Sequence, residues 1–326
     1  MSNNILNLLN VKNKKFVLRE HTTLIGFLAL FVIASILGWP DFLRWRNIVT
    51  LLRQVSYTGI IALGMTLIII SGGFDLSVGS MTAFAGGVGL FAMNSVNSFN
   101  PLFAIIVSIV VAIAFATFLG LLNGLLVTKG KIAPFIATLG TMSIFRSLII
   151  YFAKAGNIES INTNYGDIGS AVILGLPLPV WCFFILAIVL EVFLKDTKTG
   201  VYICAVGANE QVAKYSAINI NRIKLIPYVI TGFTVGVSAM LWSSRLNCIN
   251  PSDCTGYELD AIAAVVIGGT PMSGGLGSVL TTVVGAIMLG MINNMLVLAG
   301  VSSYLQQAAK GLVIIVAVLL QYKREK

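Results

Sequence analysis

Ten apolar segments separated by short polar connections constrain this chain more than any other feature. A helix needs ~20 residues to cross a bilayer, and eight of the segments are long enough for a complete crossing. Only 10% of the 326 residues are charged, whereas soluble domains average roughly 25%. The sequence therefore predicts one all-α domain over 1–326, a polytopic membrane helical bundle of eight to ten transmembrane elements. The long segments are 24–39, 48–71, 101–128, 132–152, 171–194, 225–243, 276–299 and 304–321, and the two short ones, expected to be half-helices or strongly bent helices, are 81–97 and 259–271.

The distribution of basic residues predicts the orientation of the bundle. Lys and Arg concentrate in short cytoplasmic loops, and with a cytoplasmic N-terminus the predicted inner segments hold most of the 21 Lys and Arg. These inner segments are the N-terminal 1–23, 128–133, 195–224 and 321–326, and the predicted outer loops carry only Arg44, Arg46, Lys154 and Arg245. Both termini are therefore predicted to be cytoplasmic. The basic residues of these inner segments account for the net charge of +9. We therefore expect no nucleic-acid binding.

A polar break, Gly72–Ser80, interrupts the apolar pattern after the second segment. It reads Gly-Gly-Phe-Asp-Leu-Ser-Val-Gly-Ser, and an acid such as Asp75 at membrane depth needs partners. A broken helix is tolerated there only inside protein or beside a water-filled cavity. Two interpretations remain open. Asp75 is either a solvated turn residue, or it is ionised in a structural hinge and held by backbone N–H groups and neighbouring serines, with Ser71, Ser77 and Ser80 available.

A second glycine-rich break, Gly268–Ser278, lies near the C-terminus. Both breaks follow an apolar run with Gly-Gly, and both precede a segment rich in small residues, which permit close helix packing. Paired breaks of this kind predict two related halves and point to the transport site of a repeat-built transporter. The second break lacks the Gly-Lys-Ser/Thr ending of a phosphate-binding loop. We therefore expect this chain to bind no nucleotide and no other cofactor.

The longest predicted inner connection, 195–224, contains a short helix signal. Asn209 can cap a helix running to about Ser216, with Glu210 in its first turn, and Tyr215 would lie on one face with Val212. This helix is either a connector on the bilayer surface or a docking element for a soluble partner.

The cysteines carry a weaker signal. Cys248 and Cys254 share one predicted outer loop, and they are either a disulfide, as an oxidising exterior allows, or a pair of free thiols. Cys182 and Cys204 show no ligand spacing and are expected to be structural. No cluster of His, Asp or Glu suggests a metal site or a catalytic site.

Five stretches together carry a family resemblance. They are Gly72–Ser80, Asn123-Gly-Leu-Leu-Val with Pro134-Phe-Ile-Ala-Thr-Leu-Gly-Thr-Met, the 200–220 loop, Gly256-Tyr-Glu-Leu-Asp-Ala-Ile-Ala-Ala-Val-Val-Ile-Gly-Gly-Thr, and Gly300-Val-Ser-Ser-Tyr-Leu-Gln-Gln. In this order and with this spacing, over nearly the whole chain, they resemble the ribose-type permeases of bacterial ABC importers. The sequence departs from that pattern at Ala217, where the family usually has Gly, and in the Cys248–Cys254 pair.

The resemblance implies an assembly in the bacterial cytoplasmic (inner) membrane. Two permease copies, or one copy and a close paralogue, would work beside an ATPase that uses ATP and an extracytoplasmic sugar-binding protein. The resemblance also implies that the 200–220 loop contacts the ATPase, which favours docking over the connector interpretation. The expected coupling residues are Gly207, Asn209, Glu210, Ala213 and Tyr215, and the expected docking residues for the binding protein are Arg44, Arg46 and Arg245.

A sugar is neutral and polyhydroxylated, so its pathway needs amides, hydroxyls and aromatic faces more than charges. The candidates, with Phe74 as a gate, are Thr66, Ser71, Phe74, Asp75, Asn123, Asn293 and Asn294. For each Asn the alternative is a hydrogen bond between helices.

Three competing functions are weaker. A stand-alone secondary transporter or channel needs titratable groups in several spans, yet Asp75 and Glu191 are nearly the only acids there. An intramembrane enzyme lacks a catalytic cluster, since the single His21 lies outside the predicted spans. An importer permease for nucleosides, branched-chain amino acids or a sugar-derived signal remains as the alternative to a monosaccharide permease, with ribose or a related sugar as the expected substrate.

Overall fold

The computed structural model describes residues 23–302, 305–312 and 315, and most of this part of the chain is helical. The helices are α1 Thr23–Leu37, α2 Trp45–Ile70, α3 Val78–Val96, α4 Pro101–Thr128, α5 Pro134–Phe152, α6 Tyr165–Ser170, α7 Leu178–Asp196, α8 Lys198–Ala208, α9 Glu210–Tyr215, α10 Ile220–Leu246, α11 Tyr257–Ile267 and α12 Val279–Leu298, and 305–312 is also helical. Two antiparallel two-stranded ribbons complete the fold: β1 Ile158–Glu159 with β4 Cys248–Ile249, and β2 Val172–Ile173 with β3 Leu176–Pro177.

Six of the described helices, namely α2, α4, α5, α7, α10 and α12, are long and apolar enough to cross a membrane. The predicted polytopic helical bundle is thereby confirmed. The other two long segments differ from these six. Segment 24–39 becomes the shorter apolar helix α1. Of 304–321 only 305–312 and 315 are described, and 1–22 of the predicted N-terminal segment 1–23 lie outside the described residues. The two short segments differ in outcome. Segment 259–271 is short, as predicted, because it forms α11, which has 11 residues. Segment 81–97 instead forms α3, which has 19 residues.

The largest error among the predicted boundaries is at the start of the segment 171–194. Its first residues form the β2–β3 hairpin, and α7 begins only at Leu178. The turn consists of Leu174 (φ 50°) and Gly175 (φ 81°), both left-handed. A two-residue loop with positive φ at both positions is the turn that matches the twist of a hairpin.

Helix α2 lies at the centre of the bundle, and every residue from 59 to 70 is buried. It packs against α10, α12, α7 and α11. Helix α10 also lies along α4, where a Cβ at Gly120 would collide with Tyr228 O and with the backbone of Gly232. Small residues thus let these two helices approach closely, as is usual in membrane bundles.

Candidate functional site

The first break turns the chain sharply at the end of α2. Gly72 is left-handed (φ 82°), its N–H donates to Ile69 O, and the N–H of Gly73 donates to Ile68 O, both at 2.9 Å. This is the glycine-terminated helix end in which backbone donors satisfy the last carbonyls. Glycine adopts this conformation without the steric cost that a Cβ would add.

Asp75 lies in the centre of this break and is completely buried. Its Oδ1 accepts from the N–H of Ser77 at 2.9 Å and from Ser77 Oγ at 2.7 Å, and its Oδ2 accepts from Asn123 Nδ2 at 3.2 Å. Among the residues that the structure describes, no Lys or Arg forms an ion pair with it. This burial contradicts the interpretation of Asp75 as a solvated turn residue and supports the internal hinge.

A tyrosine that was not among the candidates from the sequence forms a hydrogen bond to the backbone of the same break. Tyr228 of α10 donates its hydroxyl to Phe74 O at 3.1 Å, and the side chain of Phe74 is half-buried against the core. The backbone of Phe74 is therefore fixed by a neighbouring helix.

The second break repeats the geometry of the first. Gly269 is left-handed (φ 92°), its N–H donates to Val266 O at 2.9 Å, and the N–H of Thr270 donates to Val265 O at 3.2 Å. The two predicted breaks thus end their helices with the same hydrogen-bond pattern.

Glu191 of α7 caps the helix that follows the second break. Its Oε2 accepts from the N–H of Val279 at 2.6 Å and of Leu280 at 3.2 Å, and its Oε1 accepts from Ser278 Oγ at 2.9 Å and Lys195 Nζ at 2.7 Å. A carboxylate at a helix N-terminus satisfies free N–H groups and the positive end of the helix dipole. The sequence showed Glu191 only as a rare acid within a span. The α12 residues that it caps lie 87 to 89 positions away in the chain, so no local signal could reveal the cap.

The two breaks touch each other at the end of α8. The N–H of Gly275 donates to Ile70 O at 2.8 Å, and a Cβ on Gly207 would collide with both Ile70 O and Gly275 N. Gly274 and Gly275 are left-handed (φ 77° and 81°). We call Gly72, Gly207, Gly274 and Gly275 the glycine junction. Through it, the end of α8 bears directly on both breaks.

The predicted short helix in 195–224 is present as α9, and Asn209 caps it by accepting from the N–H of Val212 at 3.1 Å. Val212 (58% exposed) and Tyr215 (87% exposed) project from α9. Glu210 pairs with Lys224 of α10 at 2.5 Å. Ala213, one of the expected coupling residues, is not on the exposed face of α9. It is 3% exposed and belongs to the hydrophobic core, because it faces the bundle.

The structure does not bring the seven pathway candidates together in one place. Asp75 and Asn123 form one buried cluster with Ser77, whereas Thr66 is fully buried and its Oγ1 lies 2.8 Å from Thr282 Oγ1. Ser71 lines a cleft of about 460 Å³ at the α9 end of the bundle. This cleft is bounded among others by Ser71, Gly72, Gly73, Lys131, Glu210, Lys224 and Tyr228.

Asn293 and Asn294 lie together in a different cavity, also of about 460 Å³, between the first half of α2 and the second half of α12. We call it the α2–α12 cavity. It lies at the opposite end of α2 from the α9-end cleft, and the α2 residues between the two are buried. Asn294 exchanges two side-chain hydrogen bonds with Asn47, at 2.8 and 2.9 Å.

The three candidate docking arginines lie at the β4 end of the bundle. Arg44 and Arg46 are exposed at the start of α2, and Arg245 is exposed in the last turn of α10. Arg44 is paired with Asp41 at 2.8 Å.

Cys248 and Cys254 lie at the same end and are both free thiols in the structure. Burial raises the pKa of the Cys254 thiol well above its usual range, and the adjacent Asp253 carboxylate raises it further. The loop is fixed by Arg146 of α5, which donates to Pro251 O and, at 2.9 Å, to Asp253 O.

These features define a multi-pass transport permease, and comparison with known proteins gives its family. Residues 47–318 match the family described as the permease component of the branched-chain amino acid transport system, and the chain belongs to this family.

Similar proteins cover nearly the same length. The chain is 41% identical over 307 residues to the ribose import permease protein RbsC of Haemophilus influenzae (92% of each chain), 42% over 310 residues to that of Bacillus subtilis (94% of each), and 31% over 309 residues to the L-arabinose transport system permease protein AraH of Escherichia coli K12 (94% of this chain, 92% of the relative).

Proposed function

We propose that this chain is the membrane-spanning subunit of an ABC importer that translocates a monosaccharide, ribose or a closely related pentose. The observation that carries the proposal is similarity over more than nine-tenths of both chains to ribose import permeases, at 41–42% identity, against 31% for an arabinose permease. An extracytoplasmic binding protein delivers the sugar. A separate ATPase supplies the energy, so this chain itself binds no ATP and catalyses no reaction.

The placement of α9 supports its role as the ATPase contact. Its exposed Tyr215 and Val212 offer apolar surface to a partner, and lysines surround this end of the bundle, as expected of a cytoplasmic side. Because α8 leads into α9 and ends at the glycine junction, a displacement of α9 is transmitted to both helix breaks. Each of two permease copies would provide one α9 as an ATPase contact. Both termini would lie on the ATPase side.

A permease for branched-chain amino acids is the second candidate, because the family description names that substrate class. Such a substrate carries an ammonium group and a carboxylate. In the α2–α12 cavity, the charged pair that could meet them, Asp260 and Lys310, is already joined at 3.0 Å. Amides and aromatic rings form much of the remaining wall, which suits a neutral sugar better.

Transport by the complete assembly tests the proposal. The chain would be reconstituted in proteoliposomes with its partner ATPase and binding protein, and uptake of radiolabelled ribose, arabinose and leucine would be measured. We expect uptake of ribose that requires both ATP and the binding protein. Uptake of leucine without uptake of any pentose or hexose would overturn the assignment.

A further inference from the structure

The α2–α12 cavity has the size and the lining of a site for a small polar ligand. Its volume of about 460 Å³ falls within the ~300–1,000 Å³ typical of small-molecule sites. Its polar and aromatic lining consists of Asn47, Thr50, Gln54, Thr58, Trp242, Tyr257, Asp260, Asn293, Asn294, Gln306 and Lys310.

Adjacent asparagines in this cavity have different hydrogen bonding. Asn294 is satisfied by its reciprocal pair with Asn47, which joins α12 to α2. Asn293 Oδ1 is buried and has no hydrogen-bond partner among the described residues. A buried acceptor without a donor destabilises a fold unless a ligand or a water molecule pairs with it. The fold therefore uses one amide to hold two helices together and leaves the other available inside the cavity.

An aromatic wall and a neutralised charge pair complete the cavity. Trp242 makes edge-to-face contacts with Tyr57 (5.2 Å between ring centroids) and Tyr257 (5.9 Å), and its Nε1 donates to Asp253 Oδ2 at 3.2 Å. These contacts hold the indole ring in place, and a fixed aromatic face can pack against the C–H groups of a sugar ring. Because Asp260 and Lys310 neutralise each other, the cavity favours an uncharged ligand.

We infer that the α2–α12 cavity is a transient binding site for the monosaccharide on its way through the permease. Asn293 accepts a hydrogen bond from a sugar hydroxyl, Gln54 contacts the sugar from α2, and Trp242 packs against the ring. The site lies at the end of the bundle that carries the candidate docking arginines, where the binding protein releases its sugar. This inference rests on the proposed function and specifies the residues that act in it.

Reconstituted transport with two simultaneous readouts tests the inference. For Asn293→Ala we expect ribose uptake at saturating loaded binding protein to fall about three- to tenfold, the loss expected for one hydrogen bond to a neutral ligand. ATPase stimulation by the loaded binding protein should stay near the wild-type value, so fewer sugars cross for each ATP hydrolysed. The thermal unfolding midpoint should not fall, because the substitution removes an unpaired acceptor.

Two further variants separate binding from stability. Asn294→Ala should lower the unfolding midpoint, since it breaks the pair with Asn47. Ser143→Ala is the control with an unchanged sugar-to-ATP ratio, because this exposed hydroxyl of α5 bonds only to Leu139 O of its own helix. A wild-type sugar-to-ATP ratio in Asn293→Ala would overturn the inference, as would a lowered midpoint equal to that of Asn294→Ala. Failure of the wild-type assembly to transport any sugar would instead overturn the proposed function.

Discussion

The two helix breaks end their first helices alike but begin their second helices differently. At the first break, Asp75 lies two residues before Ser77, whose N–H it binds, and its other donor, Asn123, is neutral. At the second break the cap is Glu191 from another helix, and it carries a cationic partner, Lys195. The first break therefore holds the Asp75 carboxyl group with uncharged donors in a fully buried position. The second break is tied to α7 by the hydrogen bonds of Glu191, which also pairs with the half-exposed Lys195.

This difference suggests different roles for the two acids. A carboxylate without a counter-ion is expensive to bury, so the cluster around Asp75 depends on every one of its donors. Glu191 is neutralised by Lys195, which is 51% exposed, and its main effect is to stabilise the start of α12. We therefore expect changes at Asp75 to impair transport strongly and changes at Glu191 to act mainly on stability.

The largest expected effect is at Asp75. Asp75→Asn replaces one acceptor oxygen by an N–H₂ group that faces the donors of Ser77 or Asn123. Hydrogen bonds are therefore lost, and those to charged groups are worth about 1.5–3 kcal/mol each. Asp75→Glu adds a methylene where no side-chain surface is exposed. Both variants should insert into the membrane. Their rate of ribose uptake at matched expression should be at least about tenfold lower than that of the wild type. Asp167→Asn, at an exposed position in the first turn of α6, is the control. Wild-type uptake in both Asp75 variants would contradict the proposed difference between the breaks, because the acid of the first break would then not be needed for transport.

The next effect concerns α9, which directly follows the end of α8 that contacts both breaks. Tyr215→Ala and Glu210→Lys should reduce the ATPase stimulation caused by loaded binding protein, because α9 is the proposed ATPase contact. Glu210→Lys also replaces an ion pair with repulsion from Lys224. Tyr215→Ala should leave the unfolding free energy within ~0.5 kcal/mol, as is usual for exposed positions. Normal stimulation and uptake in both variants would contradict coupling through α9. Ala213→Arg is unsuitable as a test, because an arginine at this buried position would disrupt the core.

A smaller effect is expected at Glu191. Glu191→Ala removes the cap of α12 and should lower the free energy of unfolding by about 1–3 kcal/mol. Lys195→Met removes the half-exposed cation but leaves Glu191 its hydrogen bonds to Ser278, Val279 and Leu280, so it should cost less than Glu191→Ala. Thermal unfolding in detergent compares them, with uptake measured per folded molecule. If Glu191→Ala abolished uptake without loss of stability, the second break would function like the first.

The smallest effect is expected at the end of α9, which uses the same kind of turn as both breaks. The N–H of Ile218 donates to Ala213 O, and Ala217 is left-handed (φ 59°). The breaks have glycine at this point, whereas Ala217 carries a Cβ, which costs about 1–2 kcal/mol in this conformation. Ala217→Gly should therefore raise the free energy of unfolding by up to about 1 kcal/mol. An unchanged or lower unfolding midpoint would show that the turn is not strained.

Local features of this protein could be predicted from its sequence. The apolar segments, the two glycine breaks and the Asn209 cap of α9 each depend on residues a few positions apart, so their physical causes are visible in a short window. The departure at Ala217 is of the same kind, since only the residue at that position sets the cost of a left-handed backbone.

Contacts between distant segments were decided only by the tertiary structure. The sequence contains Asn293 and Asn294 as equivalent amides, and it is the packing of α12 against α2 that gives one of them a partner in Asn47 and leaves the other unpaired. Glu191 caps α12, and Gly207 bears on both breaks, because helices far apart in the chain lie side by side. Such pairings depend on which helix faces approach one another, and the chain determines those faces collectively rather than residue by residue.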